Sequence, residues 1–513
     1  MVGDMNESKL SEKIRDIKIE SNSVWGIYGT GNGARLIYKV LWNLKQNDAI
    51  RFFIDRDENT DENKEFCGKP VKKLSEAVNE INGIIIAAIN NHAIIEKRIN
   101  DFLTEKQKKN IQVINIFTYN SIKDRLEYAK YIENKILNVN EEFVAFDEKG
   151  YLRTDEDTKI ITWYLPQFHQ MEINNQFHGQ GFTEWTNTTR AIPLYVGHYQ
   201  PHVPYDVGYY DLLNPDTFKR QIYLAKHYGI YGFCFHYYWF SGKRIMERPL
   251  EYFLTHTELD MPFCLDWATE NWTALWDGGN KEIMLEQNLK EDDDQKFMED
   301  ILPYFCDPRY IKIDGRPVLV IYRINMFEKD RVKKLLNNFR IIAKESGFPD
   351  LYIMLTNAFA FNDEVNEWGA DALAEFPPHI VLDLMDKYNI LSYLNPYFNG
   401  KVLDASSFIR DKTYMLKHKS SDYYRSALVS WDNTARKATS RGIVMHGLNP
   451  ETFRQWLKDI IVESKKIHLK SNDIVFVNSW NEWAEGSHLE PDMKYGYAYL
   501  QVIKEVLEET NGR

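Results

Sequence analysis

The chain has 513 residues, which is more than one hydrophobic core usually organises, so two domains are expected. With 63 basic and 75 acidic side chains it carries a net charge of −12, which argues against a nucleic acid or an anionic membrane surface as its partner. No stretch reaches the roughly 20 apolar residues that span a bilayer, and the four cysteines form no CxxC pair, so we expect a cytoplasmic protein with reduced thiols and no transmembrane segment.

Residues 1–125 alternate short apolar runs with helical patterns. Such alternation is typical of a small parallel α/β sheet, and it predicts a Rossmann-like domain here. The predicted strands are 24–28, 52–54, 84–88 and 111–116.

A glycine-rich turn follows the first of these strands. Gly29, Gly31 and Gly33 precede a helix predicted to begin near Ala34, and Asp55 ends the second strand. Glycines at such a turn let backbone N–H groups approach a phosphate, and an acid at the position of Asp55 binds ribose in dinucleotide sites. A nucleotide or nucleotide sugar is therefore a predicted ligand. The alternative is that the glycines serve only the packing of the strand against the helix.

Residues 126–157 are rich in charged side chains and are predicted to form a helical linker. From residue 158 to residue 513, eight apolar runs recur with helical patterns between several of them, which predicts a (β/α)8 TIM barrel and makes the whole chain α/β. The eight runs are 160–165, 232–238, 263–267, 318–322, 351–355, 372–375, 427–431 and 474–478. The predicted helices include 215–228, 292–305, 330–346 and 450–467.

Polar side chains follow most of these runs. In a TIM barrel the catalytic groups lie at the carboxyl ends of the strands, so we expect these side chains to converge on one rim. Each one alone would be an ordinary loop residue. The set comprises Gln167, His169, His236, Asp266, Glu270, Arg323, Glu375, Asp432 and Arg436.

The last run is followed by Asn481-Glu482-Trp483-Ala484-Glu485-Gly486, with two carboxylates three residues apart. In a helical turn, residues at i and i+3 have Cβ atoms about 5–6 Å apart, close to the carboxylate separation of about 5 Å in retaining glycosidases. Two nearby carboxylates also repel each other's charge, which raises one pKa and keeps a proton available near neutrality. Glu482 and Glu485 are therefore candidate catalytic residues. The alternative is that they only cap a helix.

A series of ordered motifs between about residues 158 and 500 resembles the WbsX-type proteins. These are called glycosyltransferases or glycoside-hydrolase-family-99-like proteins, and their genes lie in O-antigen and capsule clusters. One departure is Ala268-Thr269-Glu270, where the family more often has Ala-Asn-Glu, which weakens one local sugar contact. The motifs are Tyr164-Leu165-Pro166-Gln167-Phe168-His169, Gly181-Phe182-Thr183-Glu184-Trp185, Gln200-Pro201-His202, Gly208-Tyr209-Tyr210-Asp211-Leu212, Glu270-Asn271-Trp272, Trp276-Asp277-Gly278, Glu375-Phe376-Pro377-Pro378, Trp431-Asp432-Asn433-Thr434-Ala435-Arg436 and Trp480 to Gly486.

The resemblance implies an endo-acting α-mannosidase chemistry. Glu485 would be the general acid/base, and Glu482 would deprotonate the sugar 2-hydroxyl, which attacks C1 to give a 1,2-anhydro sugar and, after a second inversion, net retention. Candidate substrate contacts are Tyr164, Gln167, His169, Glu184, Trp185, His236, Tyr238, Asp266, Glu270, Trp272, Glu375, Trp431, Asp432, Arg436, Asn478, Asn481 and Trp483.

Three functions remain open at this stage. The first is a retaining glycoside hydrolase or transglycosidase, the second a glycosyltransferase using a nucleotide sugar, and the third a non-catalytic glycan-binding module. We expect an oligosaccharide or polysaccharide intermediate as partner, with peripheral association with the polysaccharide assembly machinery. No cofactor is required beyond a nucleotide sugar at the N-terminal domain. No metal site is predicted, because no His-rich cluster or calcium-loop spacing accompanies the acidic rim.

Overall fold

The computed structural model describes residues 10–56 except 12, 16, 18 and 21, then residues 64–87, 92–116 and 142–273, and residues 283–512 except 360, 362, 391, 392, 396 and 416–419. Within these ranges the two largest sheets are a six-stranded sheet near the N-terminus and a mainly parallel sheet of eleven strands in the rest of the chain. Residues 126–141 of the predicted helical linker lie outside the described part.

The N-terminal sheet has the spatial order β3-β4-β2-β1-β5-β6, and all neighbours are parallel except β3 and β4. Its strands are β1 (Trp25–Tyr28), β2 (Ile50–Asp55), β3 (Glu65–Phe66), β4 (Lys69–Lys73), β5 (Gly83–Ile86) and β6 (Gln112–Asn115). The helices are α1 (Asn32–Asn43), α2 (Leu74–Ala77), α3 (His92–Phe102) and α4 (Glu105–Asn110).

The central strands of this sheet are covered on both faces. Every residue of β1 and of β5 is buried, as expected for parallel strands packed between helices. The chain leaves β1 for β2 on one side and later reaches β5 on the other, so the strand order reverses at β1. The predicted Rossmann-like α/β sheet is therefore confirmed, and its carboxyl edge beside β1 is the kind of crevice in which such sheets bind ligands.

The rest of the chain forms the predicted barrel. The parallel pairings run in the order β13-β12-β11-β10-β9-β8-β7-β15-β14. These strands are β7 (Lys159–Tyr164), β8 (Gly232–Phe240), β9 (Phe263–Ala268), β10 (Arg316–Tyr322), β11 (Tyr352–Asn357), β12 (Ala372–Glu375), β13 (Tyr423–Tyr424), β14 (Ser426–Leu428) and β15 (Ile474–Asn478).

The barrel closes through a seventh strand that is interrupted by one residue. β13 pairs with β12 and β14 pairs with β15, so the two halves on either side of Arg425 complete the circuit of eight strand positions. The seventh strand was predicted at residues 427–431, but its two halves are Tyr423–Tyr424 and Ser426–Leu428. The prediction began too late because the apolar run continues beyond the end of the strand into the loop at the rim. The predicted sixth and eighth strands agree with β12 and β15 residue for residue.

Helices cover the outside of the barrel and shape its rim. They are α5 (Glu172–His178), α6 (Glu184–Arg190), α7 (Pro215–His227), α8 (Glu247–Thr255), α9 (Asp293–Phe305), α10 (Lys329–Glu345), α11 (Ala405–Arg410), α12 (Thr434–Arg441), α13 (Pro450–Ile467) and α14 (Ala498–Thr510). Short ribbons lie at Lys243–Ile245, Trp272–Thr273, Ile283–Leu285, Lys312–Ile313, Asp386–Lys387, Lys401–Asp404, Ile443–His446, Asn481–Glu482 and Ser487–His488.

Residues 142–157 pack on the barrel instead of forming a free linker. Val144 forms a bridge with Gly496, and Tyr151 is part of the barrel core. The N-terminal sheet also contacts the barrel, since one apolar cluster joins its buried residues to barrel loops that include Leu194 and Tyr393. Among the described residues, none of the helices combines the length and the apolar character needed to cross a bilayer.

A buried ion pair holds the interrupted seventh strand to its neighbour. Arg425 Nη1 lies 2.8 Å from Oε1 of Glu375, which also accepts a hydrogen bond from the Tyr423 hydroxyl at 2.9 Å. The other oxygen of Glu375 accepts the backbone N–H of Ser426 at 3.0 Å. Glu375, predicted to contact substrate, thus orders the closing strand, and both of its oxygens are engaged there.

This pairing predicts that Arg425→Met lowers the free energy of unfolding by about 3–5 kcal/mol, because the Glu375 charge stays buried without its partner. The measurement is urea unfolding of the full chain. The double variant Arg425→Met/Glu375→Gln should recover part of the loss, since the Glu375 charge is then removed and only Glu463, 2.7 Å from Arg425 Nε, loses its partner.

The matched control is Lys296→Met, which removes an exposed pair with Asp292 on one helix face. Because both side chains are exposed, this variant should change the free energy of unfolding only slightly. A cost for Arg425→Met as small as that of the control would contradict the assignment.

Candidate active site

The two candidate carboxylates lie in a tight turn after the eighth strand. Asn481–Glu482 pairs antiparallel with Ser487–His488, and Trp483–Glu485 between them forms a 3-10 turn. Gly486 ends the turn with φ of 62°, and a Cβ there would meet the Asp432 side chain at 3.1 Å, so glycine is required at this position. The predicted helical turn is present, but it begins at Trp483, two residues later than expected.

One guanidinium holds both carboxylates. Arg436, in α12, places Nη2 2.7 Å from Oε2 of Glu482 and Nη1 2.7 Å from Oε1 of Glu485. Its Nε lies 2.6 Å from Oε1 of Glu184, the first residue of α6. All four side chains are at most 13 % exposed. Because the guanidinium donors form a rigid fork, the two candidate catalytic carboxylates are held side by side on its two terminal nitrogens.

Burial decides the protonation of Glu485. Removal from water raises the pKa of Glu485 to about 7, although the Arg436 charge lowers it, and the Glu482 charge raises it further. Burial disfavours the charge of Arg436, yet its carboxylate partners, Glu184 foremost, raise the Arg436 pKa well above its ordinary value. A carboxyl group that titrates near neutrality beside a permanently charged arginine can donate a proton at physiological pH.

A histidine and an aspartate on adjacent strands support the other carboxylate. His236 Nδ1 lies 2.9 Å from Oδ2 of Asp266, and His236 Nε2 lies 4.0 Å from Oε1 of Glu482. Burial disfavours the imidazolium, but the hydrogen bond and charge of Asp266 raise the His236 pKa above its ordinary value. β8 and β9 pair at these two residues, so the register of the barrel itself sets this contact.

These groups line one cleft at the carboxyl-terminal rim of the barrel. The predicted site residues that the fold brings together there are Gln167, His236, Tyr238, Glu270, Trp272, Arg436, Glu482 and Glu485. Residues that the sequence did not single out also line the cleft, namely Leu165, Ala268, Asn271, Tyr322, Phe376 and His379. Tyr322 ends β10 and Phe376 directly follows β12. Their positions at strand ends could therefore have identified them as rim residues from the sequence.

Aromatic rings form one wall of the cleft. Tyr238 and Trp272 meet edge to face with ring centroids 5.2 Å apart. Glu270, beside them, pairs with Arg323, whose guanidinium lies 4.0 Å from the centroid of the Phe359 ring. Aromatic rings that line a cleft next to fixed charged groups suit a sugar, which offers both apolar C–H faces and hydroxyl groups.

Other predicted contacts instead build the walls behind the cleft. The Asn481 amide accepts the backbone N–H of Leu165 at 2.8 Å and donates to the Leu165 carbonyl at 3.0 Å, which fastens the catalytic turn to the end of the first strand. Trp483 Nε1 donates to Glu490 at 2.7 Å. Tyr164, His169, Trp185, Asp266 and Asn478 are likewise buried, and Glu184 reaches the site through Arg436.

Trp431 and Asp432 line a second cavity of about 230 Å³. Oδ2 of Asp432 lies 2.6 Å from His198 Nε2, and Oδ1 accepts the Thr434 hydroxyl at 2.6 Å. Burial opposes the charge of this carboxylate, but His198 and the hydrogen bonds lower the Asp432 pKa to about 2. Asp432 therefore orders the loop between the seventh strand and α12.

The N-terminal glycine turn lies between β1 and α1, as predicted. Gly29 has φ of 119°, which favours glycine, and Gly31 is the extended N-cap of α1 with open space where a Cβ would be. The Thr30 hydroxyl donates a hydrogen bond to the Asp55 carboxylate. Asp55, which was predicted to bind ribose, therefore also holds this turn in place. Gly33 lies in the first turn of α1, which starts two residues before the predicted position.

Comparison with solved structures finds barrels of similar extent. A glycoside hydrolase-like protein is 15% identical, with a TM-score of 0.45, and the match covers 71% of this chain and 98% of that one. A GH99 endo-alpha-mannosidase from Bacteroides thetaiotaomicron is 12% identical, with a TM-score of 0.42, and the match covers 70% of this chain and 98% of that one.

Comparison of sequences finds relatives over the barrel. Two proteins from strains of Xanthomonas campestris pv. campestris, each described as uncharacterized protein WxcX, are 34% identical over 352 residues, which is 68% of this chain and 49% of theirs. This chain thus spans about half the length of the curated relatives it matches. The family model described as glycosyltransferase WbsX matches residues 160–503, from the first barrel strand into the final helix. The chain therefore belongs to the family described as glycosyltransferase WbsX.

Proposed function

We propose that this chain cleaves or transfers α-linked, mannose-like glycosides with retention of configuration, in the metabolism of a cell-surface polysaccharide. Its partner is an oligosaccharide or polysaccharide intermediate, met in the cytoplasm at the polysaccharide assembly machinery. The proposed sugar and linkage are based on the resemblance of the motifs to family-99 enzymes. The proposed reaction is based on the arrangement of side chains in the candidate site.

The observation that carries this proposal is the Arg436 fork at the cleft. It gathers Glu482 and Glu485 on one guanidinium, which supports a close pair of the kind that retaining enzymes use, whereas inverting enzymes keep their carboxyl groups about 6.5–9.5 Å apart to admit a water. The two acids also differ in role, because Glu485 titrates near neutrality with a pKa of about 7.

The proposed chemistry has two steps. In the first, Glu485 gives its proton to the glycosidic oxygen as the C1–O bond breaks, Glu482 takes the proton of the 2-hydroxyl, and O2 bonds to C1. In the second, Glu485 takes a proton from the acceptor hydroxyl as that oxygen attacks C1 and opens the 1,2-anhydro ring, and O2 regains its proton from Glu482. Water as acceptor gives hydrolysis, and a sugar hydroxyl gives transfer.

A second candidate function is a glycosyltransferase that uses a nucleotide sugar. The observation that favours it is the glycine turn at the point where the strand order of the N-terminal sheet reverses, with Gly31 leaving open space at the N-terminus of α1. The first turn of α1 carries no acidic side chain that would oppose a diphosphate.

We expect Glu485→Gln and Glu482→Gln each to lower turnover of α-linked oligosaccharides by about 10²–10⁴-fold. The two variants should differ on α-glycosyl fluorides, because fluoride leaves without a proton: Glu485→Gln should keep the first step, while Glu482→Gln should lose it. Azide, which attacks without a base, should rescue Glu485→Gln and yield the glycosyl azide of retained configuration. The measurements are fluoride release and identification of the product anomer.

The matched control is Glu490→Gln. Glu490 is buried in the same segment, and burial raises its pKa to about 7 as well, but it bonds to Trp483, Tyr210 and Gln221 behind the cleft. It should keep most activity. If Glu490→Gln lost as much activity as Glu482→Gln and Glu485→Gln, the losses would come from a disturbed structure and would not identify catalytic residues. Glycan binding without turnover of any donor by the wild-type chain would instead identify a binding module.

The pKa of Glu485 predicts a pH profile. The general acid must carry its proton, so the rate with an oligosaccharide should fall about tenfold per pH unit above about pH 7. The first step with a glycosyl fluoride should lack this alkaline fall, because no proton is donated. Initial rates between pH 5 and pH 9 with both donors test the assignment, and the same alkaline fall with both would contradict it.

The nucleotide site is tested by Gly31→Asp. Aspartate is a favoured N-cap, and the extended backbone and open space at Gly31 accept it, so α1 should be kept or stabilised. Its charge should weaken a bound nucleoside diphosphate sugar more than tenfold, and the isosteric Gly31→Asn should weaken it less. Calorimetric titration of the full chain measures both, and binding by Gly31→Asp equal to wild type would contradict the site.

A further inference from the structure

Three buried side chains behind the catalytic turn converge on one point. Nδ1 of His202 lies 2.8 Å from Nε2 of His488, and that Nε2 lies 3.8 Å from Oδ2 of Asp492. One ligand atom from each side chain falls within 4.8 Å of the other two, and each residue is at most 6 % exposed. The cluster lines the second cavity, away from the cleft that holds Glu482 and Glu485.

The hydrogen bonds of His488 fix which of its nitrogens is free to bind. Its Nδ1 lies 3.0 Å from the backbone carbonyl of Glu490, which can only accept, so Nδ1 carries the proton. Nε2 therefore presents a lone pair to the cluster. An Nδ1–H bonded to a backbone carbonyl is the arrangement by which proteins orient a metal-ligating imidazole.

Asp492 is oriented in a comparable way. Its Oδ1 accepts the backbone N–H groups of Lys494 at 3.0 Å and of Tyr495 at 2.6 Å, which leaves Oδ2 directed toward the histidines. The Tyr199 hydroxyl donates to Oδ2 at 3.0 Å, as outer partners do for ligating carboxylates. Two imidazole nitrogens and one carboxylate oxygen, with a cavity on the open side, are the donor set of a divalent transition metal.

We propose that His202, His488 and Asp492 bind one divalent transition-metal ion of the zinc class, with the remaining position open to the second cavity. On binding, the His202 proton moves from Nδ1 to Nε2, so that both facing nitrogens become ligands with no net loss of protons. The sequence did not reveal this site, because His202 and His488 are separated by 286 residues and share no metal-ligand spacing.

The ion would brace the catalytic turn from behind. The His488 ring stacks on Trp483 with centroids 3.7 Å apart and planes inclined by 12°, and Trp483 lies between the two catalytic candidates in the turn. His202 comes from the loop before α7, so the ion would tie that loop to the segment after the turn. Its role is to hold the turn, and the reaction proposed above does not pass through it.

The test uses the full chain, stripped with a chelator, dialysed and titrated with Zn²⁺ or Co²⁺ alone. We expect one ion per chain, a rise in melting temperature on Zn²⁺ addition, and zinc X-ray absorption with two imidazole nitrogens at about 2.0–2.1 Å. His202→Gln and Asp492→Asn should each weaken the binding about a hundredfold or more.

The matched control is His446→Gln. His446 lines the same cavity, but its ring stacks on Tyr388 at 4.1 Å and it lies outside the triad, so its variant should bind as wild type does. Circular dichroism of the metal-free variants shows whether a variant that binds no ion is still folded. The X-ray absorption spectrum of the wild-type chain tests the ligands directly and does not depend on any variant folding. Less than one bound ion per wild-type chain, a spectrum without imidazole, or equal weakening in His446→Gln would overturn the proposal.

Discussion

The candidate active site depends on charge balance among side chains that are largely removed from water. Arg436 supplies one positive charge to three buried carboxylates, Glu184, Glu482 and Glu485, and all three lie within 2.7 Å of its nitrogens. Three ionised acids around one cation would leave uncompensated buried charge, which is expensive in a protein interior. A proton held on one of the acids relieves this cost, and burial raises the pKa of Glu485 to about 7. The proton needed for catalysis is thus a consequence of how the site is packed.

The same cluster fixes the geometry of the rim. Arg436 comes from α12 after the seventh strand, Glu184 from the start of α6, and the other two acids from the turn after the eighth strand. Three loops that the barrel merely brings near one another are therefore joined through one guanidinium. Asn481 adds a fourth connection, to the end of β7 at Leu165. Because these contacts are buried and charged, small movements of the turn carry a large electrostatic cost. This cost keeps the carboxylates of Glu482 and Glu485 fixed relative to each other.

The strands could be predicted from the sequence because buried parallel strands are apolar throughout, and β12 and β15 agree to the residue. The seventh strand could not, because Arg425 interrupts its apolar pattern and its charge is compensated by Glu375 on the neighbouring strand and by Glu463 in α13. The same limit applies to the site. Residues just past strand ends, such as Gln167 and Glu270, were found by position, whereas Glu375 and Asp432 have similar positions but bond to structural partners. Periodicity locates a side chain on the rim, and only the fold determines what it faces.

The tuning of Glu485 also bears on the choice between donors. A nucleoside diphosphate is a good leaving group and departs with little help from an acid, so a transferase acting on a nucleotide sugar gains little from a buried carboxyl group whose pKa is about 7. A sugar hydroxyl is a poor leaving group, and its departure near neutral pH requires such a proton. The barrel is therefore better suited to a glycoside than to a nucleotide sugar as donor. A nucleotide held at Gly31 would then act apart from the bond-breaking step, and the acceptor that reaches C1 beside Glu485 decides whether the chain shortens or extends a glycan.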